Sequence, residues 1–156
     1  MMEKTIADFL RKKKLTLSLA ESCTGGLIAS SLTDLAGSSD FFMGGIVAYS
    51  NQAKRDLLGV PASILKKYGA VSPKTALAMA RGARRIFKTD ISLSVTGIAG
   101  PTGGSFLKPV GTVFMSVSFK KKTYFKKYQF RGTRLEIKQS AKNAGLELLK
   151  TCLDFS

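Results

Sequence analysis

The chain contains no histidine and no tryptophan, and only two of its 156 residues are cysteine. Without an imidazole there is no Ser-His-Asp triad, no Cys-His pair and no H-E-x-x-H zinc site. Acid–base chemistry is left to Lys, Tyr, Asp, Glu, Cys or water. Cys23 and Cys152 are too few for a disulfide framework or a four-thiolate zinc site, and fit a reducing compartment. Acids are scarce too, 10 against 25 Lys+Arg, and they are scattered along the chain, so no metal site is expected. No apolar run approaches the roughly 20 residues of a membrane span. The first apolar stretch, Thr5 to Leu10, holds Asp8 and runs into Arg11–Lys14, unlike a signal peptide. The expectation is a cytoplasmic protein without a membrane partner. Neither G-x-x-x-x-G-K-[ST] nor G-x-G-x-x-G occurs, which removes the Walker and dinucleotide fingerprints.

What is present suits a folded enzyme-sized unit. Hydrophobic residues make up 44% of the chain, with no repeat, linker or shift in composition, so residues 1–156 are expected to form one domain. The net charge of +15 favours an anionic partner, but the cations come in short clusters. Arg11–Lys14, Lys66–Lys67, Arg84–Arg85, Lys120–Lys122 and Lys126–Lys127 suit solvated helix ends and turns.

Apolar spacing predicts a helix over residues 3–13, with Ile6, Phe9 and Leu10 on one face. A strand over Thr16–Ala20 leads into Glu21-Ser-Cys-Thr-Gly-Gly26, and a helix is expected from near Thr24 to before Gly37. Gly45 to Tyr49 is the next strand, followed by a helix that Asn51 can cap, carrying Lys54 in its first turn. Ser72-Pro73 has the form of an N-cap with proline at the first helical position. Ile91–Val95 is a strand ending in Thr96-Gly-Ile-Ala-Gly-Pro101, and Val110–Phe119 with Tyr124–Phe130 forms a hairpin. Thr133 and Glu136 make a capping box for a last helix with Leu135, Ala141, Leu148 and Leu149 inward. Helices alternating with strands describe an α/β class: one three-layer α/β/α domain, a mixed sheet with helices on both faces.

In open α/β sheets ligands collect at the carboxyl ends of strands, often against helix N-termini. Ser22 lies on such a turn, where a hydroxyl is exposed and following N–H groups share its space. A serine needs a base, and lysine serves once desolvation or nearby positive charge lowers its pKa. Lys54, near a helix N-terminus, is the candidate; Tyr49, five residues earlier, can relay or donate a proton. Cys23 is the rival nucleophile. Neighbours on a turn point apart, which favours Ser22 in the pocket and Cys23 beneath it as a small hydrophobe. Glu21 either orients a cation or substrate hydroxyl, or caps the next helix.

Six segments together resemble one family: Ala20-Glu-Ser-Cys-Thr-Gly-Gly26, Ala36-Gly-Ser-Ser39, Tyr49-Ser-Asn-Gln-Ala-Lys54, Gly69-Ala-Val-Ser72, Thr96-Gly-Ile-Ala-Gly-Pro101 and Lys108-Pro-Val-Gly-Thr112. Their order and spacing over roughly residues 5–150 are similar to the CinA C-terminal-domain family, whose characterised enzymes are nicotinamide-nucleotide amidohydrolases. The resemblance implies hydrolysis of the carboxamide of nicotinamide mononucleotide, a pyridine-nucleotide partner, no cofactor and a homodimer. By matching position it implies Ser22 as nucleophile, Lys54 as base and Tyr49 beside them. It also assigns Thr96 and Arg134 to substrate or catalytic support. Backbone N–H groups around Thr24, Gly25 and Gly26 are expected to hold the oxyanion, and the Gly97–Gly104 backbone, Gly97 and Gly100 included, with nearby cations the phosphate. Family members with an N-terminal molybdopterin-binding-like domain carry an activity that is not expected of these residues.

Two other readings compete. One is a nucleotide-binding module of the same fold without turnover. The other is nucleic-acid binding through Lys120-Lys-Lys-Thr-Tyr-Phe-Lys-Lys-Tyr128, where aromatics stack bases and lysines track phosphates. Against the latter stands an edge strand with Tyr and Phe inward and Lys outward.

Overall fold

A computed structural model describes residues 1–154. Ile6, Ala7 and Leu10 share the buried face of α1 (Met2–Lys13), which ends as Lys14 turns left-handed at φ 54°. β1 (Leu17–Glu21) is buried along its whole length. β2 (Phe42–Val47) starts three residues before the expected strand, because Gly44 and Gly45 sit inside it. Glycine is unusual in strands unless another group approaches closely. Here the Phe87 ring occupies the space a Gly44 side chain would need.

α2 (Leu27–Thr33) begins after Gly26, later than expected, since Gly25 and Gly26 take φ of +62° and +98°. α3 (Asn51–Leu58) is capped by Ser50, whose hydroxyl accepts from Ala53 N–H, so Asn51 is the first helical residue rather than the cap. The sequence reading missed α4 (Ala62–Tyr68), seven residues opened by Pro61. α5 (Pro73–Phe87) starts from Ser72 and proline as the sequence specifies. β3 (Ile91–Gly97), β4 (Thr112–Phe119) and β5 (Lys122–Gln129) follow. α6 (Arg134–Asp154) opens with both halves of the capping box. Leu135 is exposed rather than inward: two residues before Ile137, it lies about 200° round the helix from the stripe led by Ile137, Ala141 and Ala144.

The strands form one mixed sheet in the order β2-β1-β3-β4-β5, with β2, β1 and β3 parallel, β4 antiparallel to β3 and β5 antiparallel to β4. One face carries Leu17, Leu19, Leu93, Val95, Met115 and Val117 against α1, α2 and α6. The other is lined with serines. Ser92 and Ser94 donate to the Ala80 and Ala76 carbonyls of α5, at 2.5 and 2.6 Å. Those hydroxyls are satisfied where burial would otherwise cost about 1–3 kcal/mol each. Small residues thus draw α5 onto the sheet, and Gly82 lets the Leu58 carbonyl of α3 reach α5 closely.

β5 is the charged edge the sequence implied; of its aromatics Tyr128 packs inward on the core as expected, whereas Tyr124 is 40% and Phe125 54% exposed. As successive residues of a strand Tyr124 and Phe125 point to opposite faces and share no stacking platform, while Tyr128 stacks on Phe130 at 5.4 Å. Among the described residues no helix is long and apolar enough to cross a membrane.

Candidate active site

β1, β2 and β3 end side by side, and the polar turns that follow them meet there. Ser22 N–H donates to the Val95 carbonyl and Ala48 N–H to the Glu21 carbonyl, so neighbouring strands fix both ends of the site. After Glu21 the chain turns through Ser22–Gly26 into α2. The Glu21 carboxylate takes four donors: Thr24 Oγ1 at 2.5 Å and the N–H groups of Gly26, Ile28 and Ala29 at 3.0, 3.3 and 2.8 Å. An anion at a helix N-terminus is stabilised by the unpaired donors and the dipole there. Of its two sequence readings, Glu21 takes the capping one.

α3 delivers Lys54 into the same space. Its side chain is 1% exposed, and Nζ lies 3.0 Å from Ser22 Oγ, 3.0 Å from the Ala48 carbonyl and 3.1 Å from the Tyr49 carbonyl. A neutral amine has two N–H bonds and one lone pair. As an ammonium, Nζ donates to all three oxygens; as a neutral amine with its two hydrogens on the carbonyls, it turns its lone pair to the serine hydroxyl. Burial lowers the Lys54 pKa from the ordinary lysine value, opposed only by a Coulomb attraction to Cys23. That attraction requires a thiolate, and burial pushes the Cys23 thiol up to about 11, so it is neutral at physiological pH. The sequence argument gave the helix dipole a share in this shift; desolvation is its cause in the structure.

Ser22 and Lys54 line a cavity of about 160 Å³ together with Cys23, Tyr49, Thr96, Gly97 and neighbouring backbone. Pockets that enclose a drug-sized ligand run to about 300–1,000 Å³, so this one takes a ring-sized portion and leaves the rest outside. Cys23 packs into the core, yet it contributes to the wall as well; the expectation that only one of the two neighbours reaches the pocket does not hold.

The other sequence-nominated residues fall into two groups. Thr96 is buried in the cavity wall, donating from Oγ1 to the Ala70 carbonyl at 2.7 Å, and Gly97 follows it. A Cβ on Gly97 would come within 2.6 Å of Val113 Cγ2, which keeps that wall thin. Gly100 and Arg134 stand at the rim. Arg134 donates from Nη1 to the Gly100 carbonyl at 2.6 Å and from Nη2 to the Tyr49 hydroxyl at 2.8 Å. Tyr49 is 60% exposed and presents its carbonyl, not its hydroxyl, to Lys54. A direct proton relay from Tyr49 to that amine is therefore absent from this arrangement.

Two of the three expected oxyanion donors are already taken. Gly25 N–H is taken by the Ser22 carbonyl at 3.0 Å and Gly26 N–H by Glu21. Cys23 N–H is turned to the thiol of its own residue, and Thr24 N–H has no backbone acceptor among the described residues. Sequence reasoning did not nominate Ala48, whose carbonyl orients Lys54, and nothing in a backbone acceptor's side chain signals it. No group of three or more His, Cys, Asp and Glu suited to a metal ion exists among the described residues.

The family model for the CinA C-terminal domain matches residues 1–153. A CinA-like protein of Geotalea daltonii is 51% identical over 149 residues, covering 96% of this chain and 36% of the relative. The chain thus spans little more than a third of that curated relative's length. The crystal structure of competence/damage inducible protein CihA from Agrobacterium tumefaciens is similar at TM-score 0.94 and 41% identity, over 98% of this chain and 93% of that one. A CinA superfamily protein from Klebsiella pneumoniae superposes with TM-score 0.96 at 30% identity, over 99% and 97% of the two chains.

Proposed function

Because the chain belongs to the CinA C-terminal-domain family and holds Lys54 Nζ 3.0 Å from Ser22 Oγ, we propose that it hydrolyses nicotinamide mononucleotide. The products are nicotinic acid mononucleotide and ammonia. The observation that carries this reading is the buried amine pinned by two carbonyls against one serine hydroxyl.

Neutral Lys54 accepts the Ser22 proton as Oγ attacks the carboxamide carbon. The carbonyl oxygen becomes an oxyanion received by Thr24 N–H, the donor of this turn left without an acceptor; such a donor is worth about 2.7–4 kcal/mol in the transition state. The C–N bond then breaks, and ammonia leaves with the proton returned by the Lys54 ammonium. Water, deprotonated by the same amine, cleaves the Ser22 ester; the acid departs and the serine regains its proton. The ring-sized cavity suits the pyridine carboxamide, and the Tyr49–Arg134 rim suits the ribose phosphate outside it. The positive pyridinium activates the carboxamide and disfavours an ammonium beside it.

Ammonia release over a panel of pyridine nucleotides tests the assignment. The mononucleotide is expected to be the preferred substrate, and Ser22→Ala to remove turnover while retaining binding. Binding of the mononucleotide without ammonia from the unaltered protein would make this a binding module instead.

A further inference from the structure

We propose that a groove at the far end of α5 binds a short chain of linked phosphoryl groups, independently of the Ser22 site. Arg81, Arg84, Arg85 and Lys88 recur at i, i+3, i+4 and i+7, which places them along one side of the last two turns over about 10 Å. With Thr89 and Ser118 they line a groove of about 370 Å³. The groove opens at the end of the sheet where β3 begins and β4 ends. Seven residues of β3 separate it from the Ser22 turn, about 20 Å.

The charge in this groove is uncompensated. Among the described residues the ion pairs involve Arg11, Arg55 and Lys142, and none of the four groove cations. The nearest acid in sequence, Asp90, turns its carboxylate to the N–H and hydroxyl of Thr16, both at 2.8 Å. The C-terminal end of α5 offsets only about half a charge.

Two of the guanidinium groups are also already fixed. Arg84 donates to the Thr89 carbonyl at 3.2 Å and to the Lys120 carbonyl at 2.6 Å, and Arg85 to the Leu58 carbonyl at 3.1 Å. Their acceptors are neutral, so the positive charge persists while the rotamers are ordered before any ligand arrives. Arg81 keeps both terminal nitrogens of its planar fork for paired phosphoryl oxygens, and Arg84 and Arg85 keep N–H donors beyond those given to the carbonyls. A single phosphate reaches one or two of four cations spread over this length; linked phosphoryl groups reach them all. No aromatic side chain lines the groove, so it offers phosphate recognition without a platform for bases.

Calorimetric titration of the full chain with inorganic tripolyphosphate, orthophosphate and a single-stranded DNA oligomer tests the proposal. Arg81→Gln with Lys88→Gln is the informative variant, because neither side chain anchors backbone; Arg81 bonds only the Thr123 hydroxyl. Lys66→Gln with Lys67→Gln removes the same charge from α4 and serves as control. Matching melting curves establish that both variants are folded. The expected result is saturable one-to-one tripolyphosphate binding, at least about tenfold tighter than orthophosphate and weakened about tenfold by the groove variant alone. Equal weakening in both variants, or the absence of saturable binding, would overturn it. So would tighter binding of the oligomer through the same residues, which would make the groove a nucleic-acid track.

Discussion

Lys54 Nζ stands 3.0 Å from Ser22 Oγ with its remaining directions held by the Ala48 and Tyr49 carbonyls. The lysine is 1% exposed and has no ion-pair partner among the described residues. Such a cation is costly to bury, and the favourable resolution is loss of its proton.

That resolution makes stability depend on pH. The folded-state pKa of Lys54 lies below its unfolded value, so between the two the unfolded chain binds one more proton. Stability against denaturant therefore rises with pH through the window from the lowered folded pKa to about 10.5. Lys54→Met, which keeps the volume and removes the charge, is expected to flatten this part of the profile. Chemical denaturation at a series of pH values measures it; an unchanged slope in the variant contradicts the assignment.

Glu21 accepts four donors at the mouth of α2. Glu21→Ala leaves several of them without a partner inside the protein and is expected to cost about 2–3 kcal/mol. For a chain of this size that lowers the melting temperature by roughly 4–12 °C. A thermal scan reads the loss, and Glu21→Gln, which keeps the shape and removes the charge, is expected to fall between.

Arg134 ties the Tyr49 hydroxyl to the Gly100 carbonyl across the rim. Arg134→Ala frees both loops and is expected to raise KM about tenfold, the scale of one charge-assisted hydrogen bond. Tyr49→Phe removes a hydroxyl that does not reach Lys54, so the shape of its pH–rate profile should match that of the unaltered protein. Steady-state kinetics of both variants separate positioning from proton transfer. Loss of one limb of the profile in Tyr49→Phe would restore the tyrosine as the acid.

Much of this was legible because local signals and packing agree. Ser72-Pro73 and Thr133 with Glu136 mark helix starts through bonds within four residues, and the structure forms them. The Ser22 turn and Lys54 are paired by their positions in the family that the six segments resemble; the absence of histidine only narrows the type of base. Signals failed where a distant element decides. Gly44 belongs to β2 because Phe87 fills the space beside it, a contact made 43 residues away in sequence. α4, at seven residues, is too short for a helical period to show. Leu135 is apolar but falls outside the stripe that faces the sheet. In the site, Gly25 and Gly26 look like free donors in sequence, but their N–H groups go to Ser22 and Glu21. Arg84 and Arg85, which suit a solvated helix end, are anchored in a groove.

The pH dependence of ammonia release, compared between the unaltered protein and Lys54→Met, tests the central claim most directly. The account predicts that kcat/KM rises with pH as Lys54 loses its proton, along a limb below the ordinary lysine range. It predicts that Lys54→Met still binds the nucleotide but turns it over about 10²–10⁴-fold more slowly, without that limb. Turnover by Lys54→Met within tenfold of the unaltered protein, with the rising limb intact, would contradict it.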